Sequence, residues 1–440
     1  MRSIGRKLTL LVTMTLLATF LIAPVTVGAA DGLDIEAESA ILVDADSGKI
    51  LFAKNPDIAL PPASMSKMMT EYLVWEAVEE GKISWDTEAE ISDYAYEISG
   101  NEDFSGVGLY QNRTYTVKEL YDAMAINSDN ATTIALAELI AGSESEFIKM
   151  MNAKGEEMGL QEYKFVNASG LDNHSLDGNH PDGTEEDDTN LLSARSSALL
   201  AYHLVTDYPE ALDVSNQASL EFDGQTVTNW NYMLDHDTTY LEQFHYDGID
   251  GLKTGHTDLA GYCFTGTAER DGKRLISVVM KTDSETERFK QTGKLMDYGF
   301  EKFSEQELFP EGYQLEGESV LSVVKGKEKE VSIALADAFS EKIKDGDEEK
   351  FHVEYTLDES LLKDGSLEAP IEKGMKVGTA TLVSDDSYGY IFSEDEATTV
   401  DLIATEDVNK SNWFVIMLGA IWGFFSHLFF MIVDFIKGWF

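Results

Sequence analysis

Apolar residues recur along this chain in two rhythms, one with the period of a strand and one with that of a helix. Residues 40–44 and 49–54 are short apolar runs on either side of Asp46-Ser47-Gly48, the pattern of strand, turn and strand. Pro61-Pro62-Ala63 interrupts them, and Met65, Met68, Met69, Tyr72, Leu73 and Val78 then fall at helical spacing before Gly81. The same period predicts helices over 117–126, 131–141 and 194–206. Residues 261–269 and 274–281 flank Asp271-Gly272, the dipeptide of a tight hairpin. Strands first, helices in the middle and strands last predict an α+β fold, with helices packed on an antiparallel sheet that unites distant parts of the chain. Near Phe309-Pro310-Glu311-Gly312 the texture changes. Short alternating runs at 331–335, 351–357 and 376–383 predict a separate small all-β domain.

Both ends read differently. Arg2, Arg6 and Lys7 precede an uncharged run over 8–23, and Val27-Gly28-Ala29-Ala30 follows with small residues. This is the layout of a secretory signal peptide cut after Ala29 or Ala30. Residues 413–433 again carry no formal charge. Their aromatics are spread along the segment, with Ser426 and His427 among them, so a bilayer span and a helix lying in the interface both fit. The expected organisation is a signal peptide over 1–30, a main α+β domain over 31–308, the β domain over 309–405 and a membrane anchor over 406–440. That places the protein outside the cytoplasm, on the outer face of the cytoplasmic membrane.

Charge narrows the partners. The 440 residues hold 33 Lys plus Arg against 80 Asp plus Glu, a net charge of −47, which becomes −50 once the three basic residues of the leader are removed. A polyanion would be repelled, so nucleic acid is excluded as a partner. The acidity is spread over both domains, and it fits a saline exterior in which carboxylates keep a protein hydrated. The 43% hydrophobic share is ample for a core. Cys263 is the one cysteine, which excludes internal disulfides and Cys-rich metal sites. No H-E-x-x-H is present, and neither a metal nor a cofactor is called for. Residues 172–190 hold seven acids and no Lys or Arg, the composition of a solvated loop, with calcium binding as the lesser reading.

The chemistry begins where the first helix does. Ser64-Met65-Ser66-Lys67 puts a serine and a lysine at i and i+3, on one side of the helix. A buried lysine can lose its charge and take the serine proton, and the helix start offers N–H groups to an oxyanion. Ser128-Asp129-Asn130 lies between two predicted helices, where a short loop presents its polar side chains. Lys253-Thr254-Gly255 lies just before the hairpin. There the glycine lets substrate approach closely, while Lys and Thr can bind a carboxylate. Singly each tripeptide is common. Together, in this order, they supply nucleophile, base, proton relay and carboxylate clamp.

At these residues the chain resembles the penicillin-binding-protein and serine β-lactamase superfamily, and within it the low-molecular-mass D-alanyl-D-alanine carboxypeptidases of the peptidase S11 type. Asn167-Ala168-Ser169-Gly170-Leu171, Leu192-Ser193-Ala194-Arg195, Thr228-Asn229-Trp230-Asn231 and Gly251-Leu252-Lys253-Thr254-Gly255-His256 extend the resemblance, as does the four-part plan. The resemblance implies that Ser64 is acylated, with Lys67 as its general base. Ser128 and Lys253 would carry the proton to the leaving D-alanine. Asn130 would hold the substrate amide, Thr254 with Lys253 the terminal carboxylate, and Gly255 would lie close to substrate. The N–H groups of Ser64 and His256 would form the oxyanion hole. Arg288 is a candidate for carboxylate electrostatics or else an ordinary surface arginine, and Cys263 is read as packing. The implied substrate is a peptidoglycan stem peptide ending in D-Ala-D-Ala, with β-lactams as covalent inhibitors.

Two other functions use the same side chains. A serine β-lactamase needs a fast deacylation route, which class A enzymes provide with a Glu in an E-x-x-L-N loop. The corresponding place here is Val166, and no such motif stands near it. A non-catalytic penicillin-binding sensor would keep the acylatable serine without turnover.

Overall fold

Residues 33–384, 389–392 and 398–412 are described by the structure, a computed structural model, together with single helical positions at 417, 421, 422, 425, 429, 431 and 433. The expected signal peptide lies outside the described residues, as does most of the expected anchor.

Five antiparallel strands organise the first part: β1 (Ser39–Asp44), β2 (Ile50–Lys54), β3 (Ile249–Thr257), β4 (Gly261–Arg270) and β5 (Lys273–Thr282), in the spatial order β2-β1-β5-β4-β3. The first and last strands of the region meet as expected, with Ser39 opposite Met280 and Asp44 opposite Leu275. Every residue of β1 is buried, which is why it reads as a continuous apolar run: helices cover both faces. The β4–β5 hairpin turns at Asp271 and Gly272, with φ of 52° and 73°, the two positive values that a type I′ turn requires. Strand β3 lies at the sheet edge.

The predicted helices appear in order, and one at 144–157 that the apolar pattern did not announce joins them. The longer helices are α1 (Lys67–Glu79), α2 (Val117–Asn127), α3 (Asn130–Ala141), α4 (Glu144–Glu157), α5 (Ala194–Asp207) and α6 (Glu285–Lys302). Thr116 and Glu119 close a capping box at the start of α2, and Asp129 caps α3 by accepting from Thr132 N–H. Helices α1 and α5 pack on one sheet face, around Ile41, Val43, Met68, Leu200 and Val278. Helix α6 covers the other, where Leu42, Phe264, Phe289 and Leu295 meet. Helices α2 and α3 close a third cluster around Tyr115, Leu120, Met124 and Ile134, while α4 joins the first through Phe147 and Met151. Residues 172–190 meet the third cluster through Leu176, and Asn173 ties the loop internally, its amide donating to Thr184 Oγ1 and Glu185 O. Among the described residues, no group of His, Cys, Asp or Glu is arranged to hold a metal.

Helix α6 runs straight into β6 (Phe303–Phe309), which pairs with β9 (Phe339–Lys344). The β domain is otherwise a seven-stranded sheet. Its strands β7 (Val320–Val324), β8 (Glu330–Leu335), β10 (Phe351–Leu357), β11 (Leu362–Lys363), β12 (Ser366–Glu368), β13 (Lys376–Ser384) and β14 (Thr399–Ala404) are ordered β10-β13-β14-β8-β7-β12-β11. Val331, Ile333, Val377 and Leu402 fill its core. One arm of this domain returns to the first. Ile50 N–H donates to Gly389 O and Ile391 N–H to Gly48 O, both at 2.9 Å, and Ile391 is buried in the core beneath β2. Lys49 and Glu341 form an almost buried ion pair at 3.0 Å across the same junction. No helix among the described residues is long and apolar enough to cross a membrane.

Candidate active site

Ser64 sits on a single 3₁₀ turn, Ala63–Ser66, which Pro62 starts and α1 continues. The turn is tighter than the α-helix start expected from the sequence, and it leaves the Ser64 side chain half-exposed. Lys67 is the first residue of α1 and is fully buried. Its Nζ lies 2.8 Å from Ser64 Oγ, 2.8 Å from Asn130 Oδ1 and 2.7 Å from Ser169 O. Burial pushes its pKa well down, and the nearby Lys253 pushes it further.

Those three partners constrain the amine chemically. Asn130 Oδ1 and Ser169 O can only accept, so they claim two N–H groups. The third tetrahedral direction faces Ser64 Oγ, which can accept or donate. In the neutral amine the lone pair is therefore directed at the serine hydroxyl. That is the geometry a general base needs.

The other motifs converge on this point. Ser128 ends α2 in the left-handed conformation, φ 62°, and the loop to α3 is only Ser128-Asp129. Asp129 is locked as a brace. Its carboxylate accepts from Thr132 N–H at 2.7 Å and Val107 N–H at 2.6 Å, so the loop that presents Ser128 and Asn130 is rigid. Asn130 Nδ2 donates to Ser105 O at 3.1 Å, which orients its Oδ1 toward Lys67 and leaves one N–H for a ligand.

Lys253, Thr254, Gly255 and His256 all lie on β3, the edge strand beside the Ser64 turn. A β-carbon on Gly255 would fall 2.3 Å from Pro62 O and 3.3 Å from Met65 N, so only glycine lets the strand lie against the turn. Lys253 is 2% exposed, and the one hydrogen bond of its side chain among the described residues is a 3.4 Å contact from Nζ to Thr254 O. Burial lowers its pKa while the Glu71 carboxylate pulls it back up. His256 is exposed and stacks on Tyr262 at 4.1 Å between ring centroids.

Two residues differ from a surface reading. Arg288 is buried at 3% exposure, donates to Gly255 O at 3.3 Å and lies over the Phe289 ring. It stands directly behind β3. The sequence carried a signal for this, because Arg288 is in phase with Thr292, Leu295 and Gly299 on the buried side of α6. Glu71, which the sequence reading passed over, is buried one turn beyond Lys67. Cys263 is fully buried, and burial pushes its thiol up to about 11, so it is packing rather than nucleophile.

A serine on a helix-opening turn, a buried lysine one turn on and an edge-strand lysine opposite define an acyl-transfer site of the penicillin-binding-protein and serine β-lactamase type. The profile of peptidase S11, D-alanyl-D-alanine carboxypeptidase, matches residues 25–284, and that of the penicillin-binding protein 5 C-terminal domain matches 303–410. The chain belongs to the peptidase S11 family, and it is a serine-type D-alanyl-D-alanine carboxypeptidase of peptidoglycan metabolism. It is 31% identical to D-alanyl-D-alanine carboxypeptidase DacF of Bacillus subtilis, over 93% of this chain and 96% of that one. Among solved structures it is similar to a peptidoglycan synthesis regulatory factor (PBP3) of Streptococcus pneumoniae, with TM-score 0.65, 35% identity and coverage of 85% and 100%. It is also similar to penicillin-binding protein D2 of Listeria monocytogenes in its ampicillin-bound form, with TM-score 0.51, 34% identity and coverage of 61% and 99%.

Proposed function

We propose that Ser64 attacks the carbonyl of the penultimate D-alanine of a stem peptide, with Lys67 as general base. The observation that carries this is the three-way anchoring of Lys67 Nζ, which aims its lone pair at Ser64 Oγ. The N–H groups of Ser64 and His256 hold the oxyanion. Ser128 and Lys253 return the proton to the departing D-alanine, Asn130 holds the substrate amide, and Thr254 with Lys253 receives the terminal carboxylate. Arg288 adds positive charge from behind Gly255. Water then hydrolyses the acyl-enzyme. A β-lactam ring presents the same carbonyl without a departing fragment, so it remains on Ser64. The ampicillin- and cefotaxime-bound forms of the Listeria protein support that reading.

The chain is read as an exported protein with a leader over 1–30, a peptidase domain over 31–308, a β domain over 309–405 and a tail over 406–440 that holds it to the outer face of the cytoplasmic membrane. Strand β6 is the joint in that plan. Met417, Ile421, Phe425 and Phe429 recur every fourth residue and are 40%, 45%, 60% and 62% exposed, which supports a helix lying in the interface.

The test is to incubate the purified protein with diacetyl-Lys-D-Ala-D-Ala and, separately, with benzylpenicillin. Release of free D-alanine together with a long-lived adduct on the peptide containing Ser64 is expected. Rapid penicillin hydrolysis would make it a β-lactamase, and a stable adduct without D-alanine release would make it a sensor.

A further inference from the structure

Helix α1 buries an ionisable residue that the scheme above leaves unused. Ser64, Lys67 and Glu71 follow one another at i, i+3 and i+7, along one side of the segment. Glu71 is 1% exposed. Its Oε2 accepts from the Tyr121 hydroxyl at 3.4 Å, and its Oε1 has no hydrogen-bond partner among the described residues. Tyr121 is itself held: Trp75 Nε1 donates to its hydroxyl at 2.8 Å, and its ring meets those of Trp75 and Trp85 edge-on. With Trp75 supplying a donor, the tyrosine proton is free to point at Glu71.

A dry carboxylate with half of its accepting capacity empty is unfavourable unless cations face it. Two do. Lys253 of β3 and Lys67 of α1 both act on Glu71, against a burial that favours its protonated form. Around them, Asp129 at the head of α3 bears on Lys67, and Arg288 of α6 bears on Lys253. Lys154 of α4 and Asp207 of α5 meet α1 further along, at Glu76 and Tyr72.

The two lysines have opposite requirements. Lys67 must be neutral to accept a proton, while Lys253 must be charged to bind a carboxylate. Burial raises the Glu71 carboxyl to about 7, so above that pH it carries one negative charge, which compensates one ammonium and not two. Resting on the roles given above to Lys67 and Lys253, we propose that Glu71 is a positioning residue whose carboxylate holds the Lys67–Lys253 pair at a single positive charge, placed on Lys253. Of the charges that act on Lys253, Glu71 is the strongest. On Lys67 the strongest is Lys253 itself, which opposes a second positive charge. The geometry agrees, because the two acceptors Asn130 Oδ1 and Ser169 O leave the Lys67 lone pair toward Ser64 Oγ, so the proton settles on Lys253.

Glu71→Gln keeps the shape and the Tyr121 contact but removes the charge. D-alanine release and benzylpenicillin acylation would be measured from pH 5 to 11 for the full chain and this variant. The alkaline limb of the bell-shaped profile, at pH values where Glu71 is ionised in the wild type, should move to lower pH by about one unit. On the alkaline side of the wild-type optimum that is about a tenfold loss, expressed mainly as a higher KM for the peptide. A purely structural role would lower the profile without moving its limbs, and coincident limbs overturn the proposal. Glu71→Asp retains a weakened field, so its alkaline limb should fall between the other two. Should the glutamine variant not fold, Glu71→Asp decides alone, and a limb at the wild-type position overturns the proposal. Stoichiometric labelling of Ser64 in both proteins with unmoved limbs defeats this inference only. Absence of label on Ser64 in the wild type defeats the catalytic reading beneath it.

Discussion

Gly170 lies so close to the carbonyl of Ala63 that a β-carbon on it would stand 1.9 Å from that oxygen. The loop whose Ser169 carbonyl fixes Lys67 is thus pressed against the turn that carries Ser64. Its glycine also has φ of 83°, a conformation other residues resist. Gly170→Ala should separate loop and turn and misplace the base. Acylation by benzylpenicillin should fall on the order of 100-fold, measured by stopped-flow, with circular dichroism showing a folded protein. Acylation at the wild-type rate would mean that the loop does not position Lys67.

Lys67→Ala removes the proposed base while Asn130 and Ser169 keep their other contacts. The acylation rate should drop by roughly a thousandfold or more with the fold retained. Near wild-type acylation would assign the base elsewhere.

Burial raises the Glu144 carboxyl to about 7, even though its Oε1 accepts from Ala168 N–H at 2.8 Å. The sign follows from linkage. An acid raised on folding stabilises the protein fully below its unfolded value near 4.5, and that contribution is lost as pH climbs through 7. Glu144→Gln keeps the Ala168 contact without the charge. Its melting temperature should therefore exceed that of the wild type at pH 8, the advantage narrowing to nothing at pH 4, with a difference of up to roughly 3 kcal/mol. Thermal melts across that range check it, and parallel curves would show that Glu144 is not the group responsible.

A chain stopped after Asn412 should lose membrane affinity yet still release D-alanine from small peptides. The cut belongs there because Ser411 Oγ donates to Gly326 O at 2.6 Å, so removing residues 410–412 would unpick the β domain. Fractionation should find the truncated protein in the medium. Retention in the membrane fraction would place the anchor elsewhere.

The legible parts of the fold were those in which local chemistry and tertiary role agree. The β4–β5 hairpin announces itself through Asp271-Gly272, and α1 through its methionines. Strand β3 did not, because Asp250, Gly251, Lys253, Thr254 and Gly255 neither alternate nor carry bulk. It is a strand because β4 pairs with it, and its side chains serve the site instead of the core. The three motifs were legible because they are contiguous. Glu71 was not, since a glutamate within a helix looks solvated until Lys253, from a distant strand, is placed beside it.

Ile391 comes 89 residues after Lys302, the last residue of the final helix in the catalytic half, yet it is 3% exposed inside that half's core. A chain delivered N-terminus first must therefore hold its catalytic sheet with a socket open beneath β2 until most of the β domain has emerged. The order of synthesis is not the order of completion: the last hydrophobic piece of the peptidase arrives with its neighbour.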